Sequence, residues 1–167
     1  ELNEKINDED NTIIKEELYK FCKKSYPRFF FDILYENKEL FTNHNLDILP
    51  NIDFKSIINN DNLTESNLNI IWKYLQLILF SIIKDIDKNS FGETAKLFEA
   101  INENEFKDKL EESLKDIENI FKSNKEDGVE GKENQGENEN KYFNNFDTNN
   151  PFPNAEELNE HMNTIMG

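Results

Sequence analysis

Residues 64–87 read TESNLNIIWKYLQLILFSIIKDID, and this stretch decides the fold. It predicts a helix over about 65–87 that is apolar around nearly its whole circumference and is capped by Thr64. At 100° per residue, five polar residues share one stripe narrower than half the circumference: Asn69, Lys73, Gln76, Ser81 and Lys84. We therefore expect a central helix that is surrounded by other helices and keeps one polar edge in water.

Membrane insertion is the alternative for a stretch as apolar as this one. A membrane-spanning helix needs about 20 predominantly apolar residues, but only ten residues separate Lys73 from Lys84, and Gln76 lies between them. The stretch therefore predicts a core helix and no membrane association. Four residues that face away from the polar stripe should be among the least exposed of the chain: Trp72, Leu75, Leu79 and Ile82.

Apolar residues upstream of the central helix keep helical spacing. They predict a first helix over about 12–25, whose apolar face consists of Ile13, Ile14, Leu18, Phe21 and Cys22. Pro27 ends this helix and suits the first turn of a second one. Asp53 can cap a third, short helix.

Two further helices are predicted downstream of the central one. Ser90 and Glu93 match a capping box in front of a helix over 91 to about 102. A regular amphipathic helix follows over about 104–122. Because we find no segment with the alternating spacing of a strand, the predicted fold class is all-α, an irregular helical bundle around the central helix.

Composition changes after Phe121. From Lys122 to Lys141 the only aliphatic residue is Val129, and such a segment cannot bury enough apolar surface to offset the entropy of ordering it. The chain is therefore expected to have four parts: a flexible N-terminal arm over 1–11, a helical domain over 12–121, a disordered acidic, Asn-rich tether over 122–150, and a short amphipathic helical segment over 151–167.

The last segment is a candidate docking element. Pro153 lies near the predicted start of a helix, and acidic residues occupy its first turn. Its candidate partner-binding residues are Phe152, Leu158, Met162, Ile165 and Met166. So short a helix is marginal alone, so it either folds back on the body or binds in a groove of a partner. The sequence leaves these two alternatives open.

The charge of the chain restricts its partners. Acidic residues number 35 and basic residues 19, which gives a net charge of −16 and disfavours direct binding to nucleic acid or to anionic membrane surfaces. A protein partner is expected, and a charged one should be basic. The one basic stretch, Lys15 to Arg28, either contacts phosphate or an acidic peptide, or only solvates the outer face of the first helix.

Residues that could carry catalysis or bind a metal do not form a recognisable set. Cys22 lies on the predicted apolar face of the first helix, so a buried hydrophobic role is favoured over a catalytic thiol. His44 and His161 have no zinc-ligand spacing. The segment that begins at Asp85 starts like a calcium loop, but it has Ser90 and Lys96 where Gly and Glu are needed. We therefore predict no catalytic, cofactor-binding or metal-binding residues.

Three segments carry a resemblance to a known group of proteins: FFDILYEN (30–37), IWKYLQL (71–77) and FGETAKLFEA (91–100). They resemble an uncharacterised acidic helical protein of giant nucleocytoplasmic DNA viruses, over most of residues 13–121. The 27 asparagines fit an AT-rich genome of such a virus, or of a protist. The resemblance implies a viral protein and brings no activity, cofactor or site residue with it.

These features together predict a non-enzymatic helical interaction or scaffold protein, whose tether carries the C-terminal docking helix to a protein partner. Two alternatives are an acidic chaperone or nucleic-acid mimic that binds basic proteins, and an enzyme with an unrecognised site. A single cysteine and the lack of a basic-then-apolar leader favour a cytoplasmic location, in the host cytoplasm or the virion for a viral protein. The sequence predicts neither the partner nor the oligomeric state.

Overall fold

The computed structural model describes residues 2–42, 47–126 and 155–166, with side chains described for residues 11–42, 47–120, 157–158 and 160–165. All regular structure in these ranges is helical, which confirms the all-α prediction. The α-helices are α1 (Leu2–Ser25), α2 (Phe30–Leu34), α3 (Phe54–Ile58), α4 (Glu65–Ile82), α5 (Ala95–Ala100), α6 (Glu103–Glu126) and α7 (Ala155–Met166). Short 3₁₀ helices lie at Tyr26–Phe29, Lys38–Phe41, Ile83–Asp85 and Lys88–Thr94.

Helix α4 is the centre of the core, as predicted. The four residues expected to be least exposed are all buried, with exposed fractions of 3% or less: Trp72, Leu75, Leu79 and Ile82. The Thr64 hydroxyl accepts a hydrogen bond from the Asn67 N–H at 3.1 Å, which confirms the predicted cap. The α-helix ends at Ile82, earlier than the predicted end at about 87, and continues as a 3₁₀ turn.

Four phenylalanines join the remaining elements to this core. Phe30 of α2 packs on Phe91, Phe98 and Phe106, with ring centroids 5.2–6.0 Å apart. Phe98 of α5 also contacts Phe106 of α6 at 5.9 Å, edge to face. Aromatic pairs in such geometry contribute about 0.5–1.5 kcal/mol beyond their buried area, so this cluster fixes α2, α5 and α6 against one another.

The polar stripe of α4 is not a single edge in water, so that part of the prediction is wrong. Asn69, Ser81 and Lys84 are exposed, but Lys73 and Gln76 are buried. The reason is a polar neighbour: the last turn of α2 packs against this side of α4 and presents carbonyl groups that need donors.

Two helices extend beyond their predicted bounds. Helix α1 begins at Leu2, so it covers most of the segment predicted as a flexible arm over 1–11. That segment contains no Gly or Pro, and its acidic residues suit the amino-terminal half of a helix. Helix α6 continues to Glu126, five residues into the predicted tether, and Gly128 follows shortly after. The remainder of the predicted tether lies outside the described residues.

The predicted capping box at Ser90 and Glu93 is wrong. Residues Lys88–Thr94 form a 3₁₀ helix, and α5 begins only at Ala95. Gly92 adopts φ 53° and ψ −128°, a conformation that breaks the helix and strains any residue with a Cβ atom. Glu93 instead pairs with Lys96, with 2.6 Å between Oε2 and Nζ.

The segment Glu65–Asp85 is long and apolar enough to cross a membrane by length and composition alone. However, 56% of its most apolar window is buried inside the fold, as in the core helix of a soluble protein.

The Asp53 carboxylate caps α3 by accepting the Ser56 N–H at 3.1 Å, as predicted.

Candidate interaction surface

Helix α7 packs on the body of the protein. Leu158, Met162 and Ile165 are buried in the common hydrophobic core, and the helix contacts α5, α6 and the 3₁₀ helix Ile83–Asp85. Lys84 and Glu157 form an ion pair across this contact, with 2.6 Å between Nζ and Oε2. Of the two alternatives that the sequence left open, the structure therefore shows the helix folded back on the body.

A partner-binding role of these same residues stays a prediction. Leu158, Met162 and Ile165 become accessible to a partner only when α7 leaves its position on the body. Phe152 lies outside the described residues, and Met166 belongs to α7 although its side chain is not described.

Helix α1 shows the opposite behaviour, and here the structure corrects the sequence analysis. Ile13, Ile14 and Leu18 belong to the predicted apolar face of the first helix, yet their exposed fractions are 56%, 61% and 39%. All residues from 11 to 20 are exposed. Within residues 11–25 the helix is anchored at its carboxyl end, where Cys22 and Ser25 are buried. The apolar spacing is therefore real, but the body does not extend far enough along α1 to cover it.

One polar contact links the exposed part of α1 to the body. The Tyr19 hydroxyl donates a hydrogen bond to the Asp85 carboxylate, which belongs to the 3₁₀ helix that follows α4. This bond, together with partial burial and the negative charge of Asp85, raises the pKa of Tyr19 to about 12. The contact links the second half of α1 to the body, and residues 11–18 stay exposed beside it.

Basic side chains accompany the exposed apolar ones. Lys20 and Lys24 are exposed and follow Ile13 by seven and eleven residues, so the three lie on one side of the helix. Ile14 and Leu18 are four residues apart and form an adjoining strip. We call these five residues the α1 surface. Apolar centres with flanking cations form a surface suited to binding another helix with acidic flanks.

The remaining basic residues of the stretch predicted as a candidate phosphate or peptide contact are exposed as well, namely Lys15, Lys23 and Arg28. The Arg28 guanidinium lies 4.5 Å from the centre of the Phe29 ring, a cation–π contact that fixes it near the body. The four lysines and Arg28 thus follow α1 and the turn after it, rather than converging on one pocket.

A second polar site, which the sequence analysis missed, lies between α2, α4 and α6. Lys73 Nζ is 2.9 Å from Glu36 Oε1 and 3.3 Å from Asp116 Oδ2, and its side chain is only 8% exposed. Gln76 Nε2 donates to the carbonyl oxygens of Ile33 and Leu34, at 3.2 Å each. The available signal was a lysine and a glutamine three residues apart on the polar stripe of an otherwise apolar helix.

Glu36 occupies a strained position in this site. Its φ is 55°, and the Asn37 N–H bonds to the Asp32 carbonyl while the Glu36 N–H bonds to the Ile33 carbonyl. This helix-end pattern usually has Gly at the position of Glu36, and a residue with a Cβ atom there costs about 1–2 kcal/mol. The Glu36 carboxylate accepts from both Lys73 and Gln76, so the strained residue closes a network in which each buried group has a partner. We assign this site to the stability of the fold.

The other chemistry-bearing residues are not assembled into a site in the described part of the chain. Cys22 is buried, and burial raises the pKa of its thiol, which keeps it protonated. His161 lies half-buried on α7, and His44 falls outside the described residues. The described residues contain no group of three or more His, Cys, Asp or Glu that could hold a metal ion. Asp85, the first residue of the incomplete calcium loop, is bonded to Tyr19.

Comparison of the chain with known protein families, with curated proteins and with solved structures gave no match. The predicted resemblance to a protein of giant DNA viruses therefore stays a prediction.

Proposed function

We propose that this protein is a non-enzymatic helical interaction or scaffold protein that presents the α1 surface to a protein partner. The carrying observation is the exposure of Ile13, Ile14 and Leu18 along a helix whose carboxyl end is anchored in the core. Isolated exposed apolar residues are ordinary on protein surfaces, but a continuous strip of them marks a contact site. The anchored carboxyl end of α1 holds this strip in a fixed position on the body, where a partner can bind it.

Two properties of α1 make it suitable for this role. Residues 11–20 of α1 are all exposed, so a partner meets little steric obstruction there. In addition, the helix is already formed, so binding does not carry the entropic cost of ordering a disordered segment.

The proposal is tested by capturing the full-length protein from the cells that naturally make it, as wild type and as Ile14→Asp. Ile14 is 61% exposed, so the substitution should leave the free energy of unfolding within about 0.5 kcal/mol of wild type. We expect the variant to lose the partners that wild type retains, because it places a charge in the centre of the apolar strip.

Leu97→Asp is the matched control, since Leu97 is a 51% exposed apolar residue of α5. It should retain all partners. Equal partner sets for wild type, Ile14→Asp and Leu97→Asp would contradict the proposal.

An acidic chaperone or nucleic-acid mimic is a second candidate, favoured by the outer face of α6. Glu103, Glu105 and Asp108 are exposed there, but Glu111 and Glu112 pair with lysines of the same helix. These pairs reduce the local negative potential. Binding of a basic protein that weakens steeply with salt and is unaffected by Ile14→Asp would favour this function over the one proposed.

We further propose a cytoplasmic location, in the host cytoplasm or virion for a viral protein. Support comes from the single cysteine, which is buried and unpaired, as expected for a reducing compartment. Fractionation of the source cells would test this.

A further inference from the structure

The position of the apolar residues on α1 restricts what can cover them. Helix α1 spans Leu2–Ser25, 24 residues, and Ile13 and Ile14 are its two central residues. A two-fold axis at this point would place Ile13 of one helix opposite Ile14 of an antiparallel copy. Such a contact is isologous, since the same residues meet from both sides.

The charge distribution along α1 matches the same arrangement. Its first half, residues 2–13, carries four acidic residues and one basic residue, so its net charge is −3. Its second half, residues 14–25, carries two acidic and four basic residues, so its net charge is +2. An antiparallel copy brings each acidic half against a basic half, whereas a parallel copy brings like charges together.

Electrostatic repulsion between the bodies of the two copies also favours the antiparallel arrangement. Each chain carries a net charge of −16, so two bodies repel each other at short range. A helix of 24 residues is about 36 Å long. Antiparallel pairing places the anchored ends, and with them the bodies, at opposite ends of this length, whereas parallel pairing places them side by side.

From these three observations we infer that the partner of the α1 surface is a second copy of this chain, bound as an antiparallel helix pair. The inference rests on the proposed function and specifies its partner. In the pair, Ile13 and Ile14 of both copies form the apolar centre, and Leu18 of each copy lies about 7 Å from it along the helix. Lys20 and Lys24 meet the acidic half of the second copy.

Sedimentation equilibrium of the full chain tests the inference, at low and at high salt and at concentrations up to about 1 mM, where a dissociation constant as high as about 1 mM is detected. We expect a monomer–dimer equilibrium that weakens with salt. Ile14→Asp should raise the dissociation constant more than about tenfold, because each substitution occurs twice in a two-fold contact. Leu97→Asp should leave it unchanged.

A charge-reversed variant, Lys20→Glu with Lys24→Glu, distinguishes the two alignments. In an antiparallel pair, each basic half faces the acidic half of the other copy. Wild type therefore has two contacts between opposite charges, the mixed pair of wild type and variant has one, and the variant pair has none. Affinity should fall in that order. For parallel copies, the mixed pair would bind more tightly than wild type does. A mixed pair tighter than wild type would overturn the antiparallel assignment.

Three other outcomes would also overturn the inference. A chain that stays monomeric, but loses cellular partners on Ile14→Asp, leaves the proposed function standing and makes the partner a different protein. A monomer in which Ile14→Ala lowers the urea midpoint of unfolding as much as Leu79→Ala does would show that the chain covers this surface itself. A monomer whose partners do not depend on Ile14 would remove the proposed function as well.

Discussion

Helices α7 and α1 are both amphipathic and both near an end of the described chain, yet their apolar faces have different surroundings. Leu158, Met162 and Ile165 of α7 are buried against α5 and α6. Ile13 and Ile14 of α1 are more than half exposed. Periodicity therefore shows that a helix has a face to cover, but it does not show whether the covering surface belongs to the same chain.

The largest expected effect is the difference in the free energy of unfolding between a substitution at a buried residue and one at an exposed residue. Leu79→Ala in α4 should lower the free energy of unfolding by about 2–5 kcal/mol, because Leu79 is fully buried and its loss leaves a cavity. Ile14→Ala should change it by less than about 0.5 kcal/mol in the dilute protein. Urea denaturation measures both. A loss for Ile14→Ala that approaches that of Leu79→Ala would show that α1 is covered even in the monomer.

The next effect concerns α7, whose apolar face is covered by α5 and α6 of the same chain. Leu158→Ala should weaken the docking of α7 by about 1.5–3 kcal/mol, the value for an apolar side chain that returns to water. Global unfolding should change less, because α7 can leave the body before the core opens.

Hydrogen exchange of residues 155–166 measures this docking directly. Asn163→Ala is the control, since Asn163 is an exposed residue of the same helix, and it should leave the exchange rates close to those of wild type. Unchanged exchange in Leu158→Ala would mean that α7 is held by something other than its apolar face.

Much of the fold was predictable from the sequence because local chemistry and burial agree. Thr64 and Asp53 cap the helices they were expected to cap, and the polar residues Lys73, Gln76 and Lys84 favoured a core helix over a membrane span for α4. The candidate surface was only partly predictable. The spacing identified Ile13, Ile14 and Leu18 as one face, but how far the body reaches along α1 depends on tertiary packing.

The other differences have the same origin. Gly92 ends a helix through its positive φ, which the apparent capping box around it did not indicate. Lys73 and Gln76 look like a solvated edge when α4 is considered alone. Gln76 is buried where the carbonyl groups of α2 need a donor, and Lys73 is buried where it meets the carboxylates of Glu36 and Asp116. The burial of Lys73 and Gln76 depends on neighbours that are distant in sequence, and the end of the helix at Gly92 depends on one backbone angle.

A smaller effect is expected from the ion pair that fastens α7. Lys84 and Glu157 side chains are 48% and 49% exposed, so water screens them, and such a pair contributes about 0.2–1 kcal/mol. A double-mutant cycle with Lys84→Ala and Glu157→Ala, read by hydrogen exchange of α7, should give a coupling energy in this range. It should shrink at high salt. A coupling that is larger and independent of salt would mean that the pair is effectively buried.

The last effect concerns Tyr19 and is confined to alkaline pH, since this residue is the contact that joins the exposed part of α1 to the body. Its hydrogen bond to Asp85 raises its pKa from the usual 10 to about 12, so the folded state favours the protonated phenol. The stabilisation is fully present below pH 10 and is lost as the pH rises through about 12. Ultraviolet titration of wild type minus Tyr19→Phe isolates this group among the five tyrosines. In Asp85→Asn the transition should return toward pH 10, because the amide carries no charge. A Tyr19 transition near pH 10 in wild type would mean that α1 is not held at this point, and that the α1 surface is free to move relative to the body.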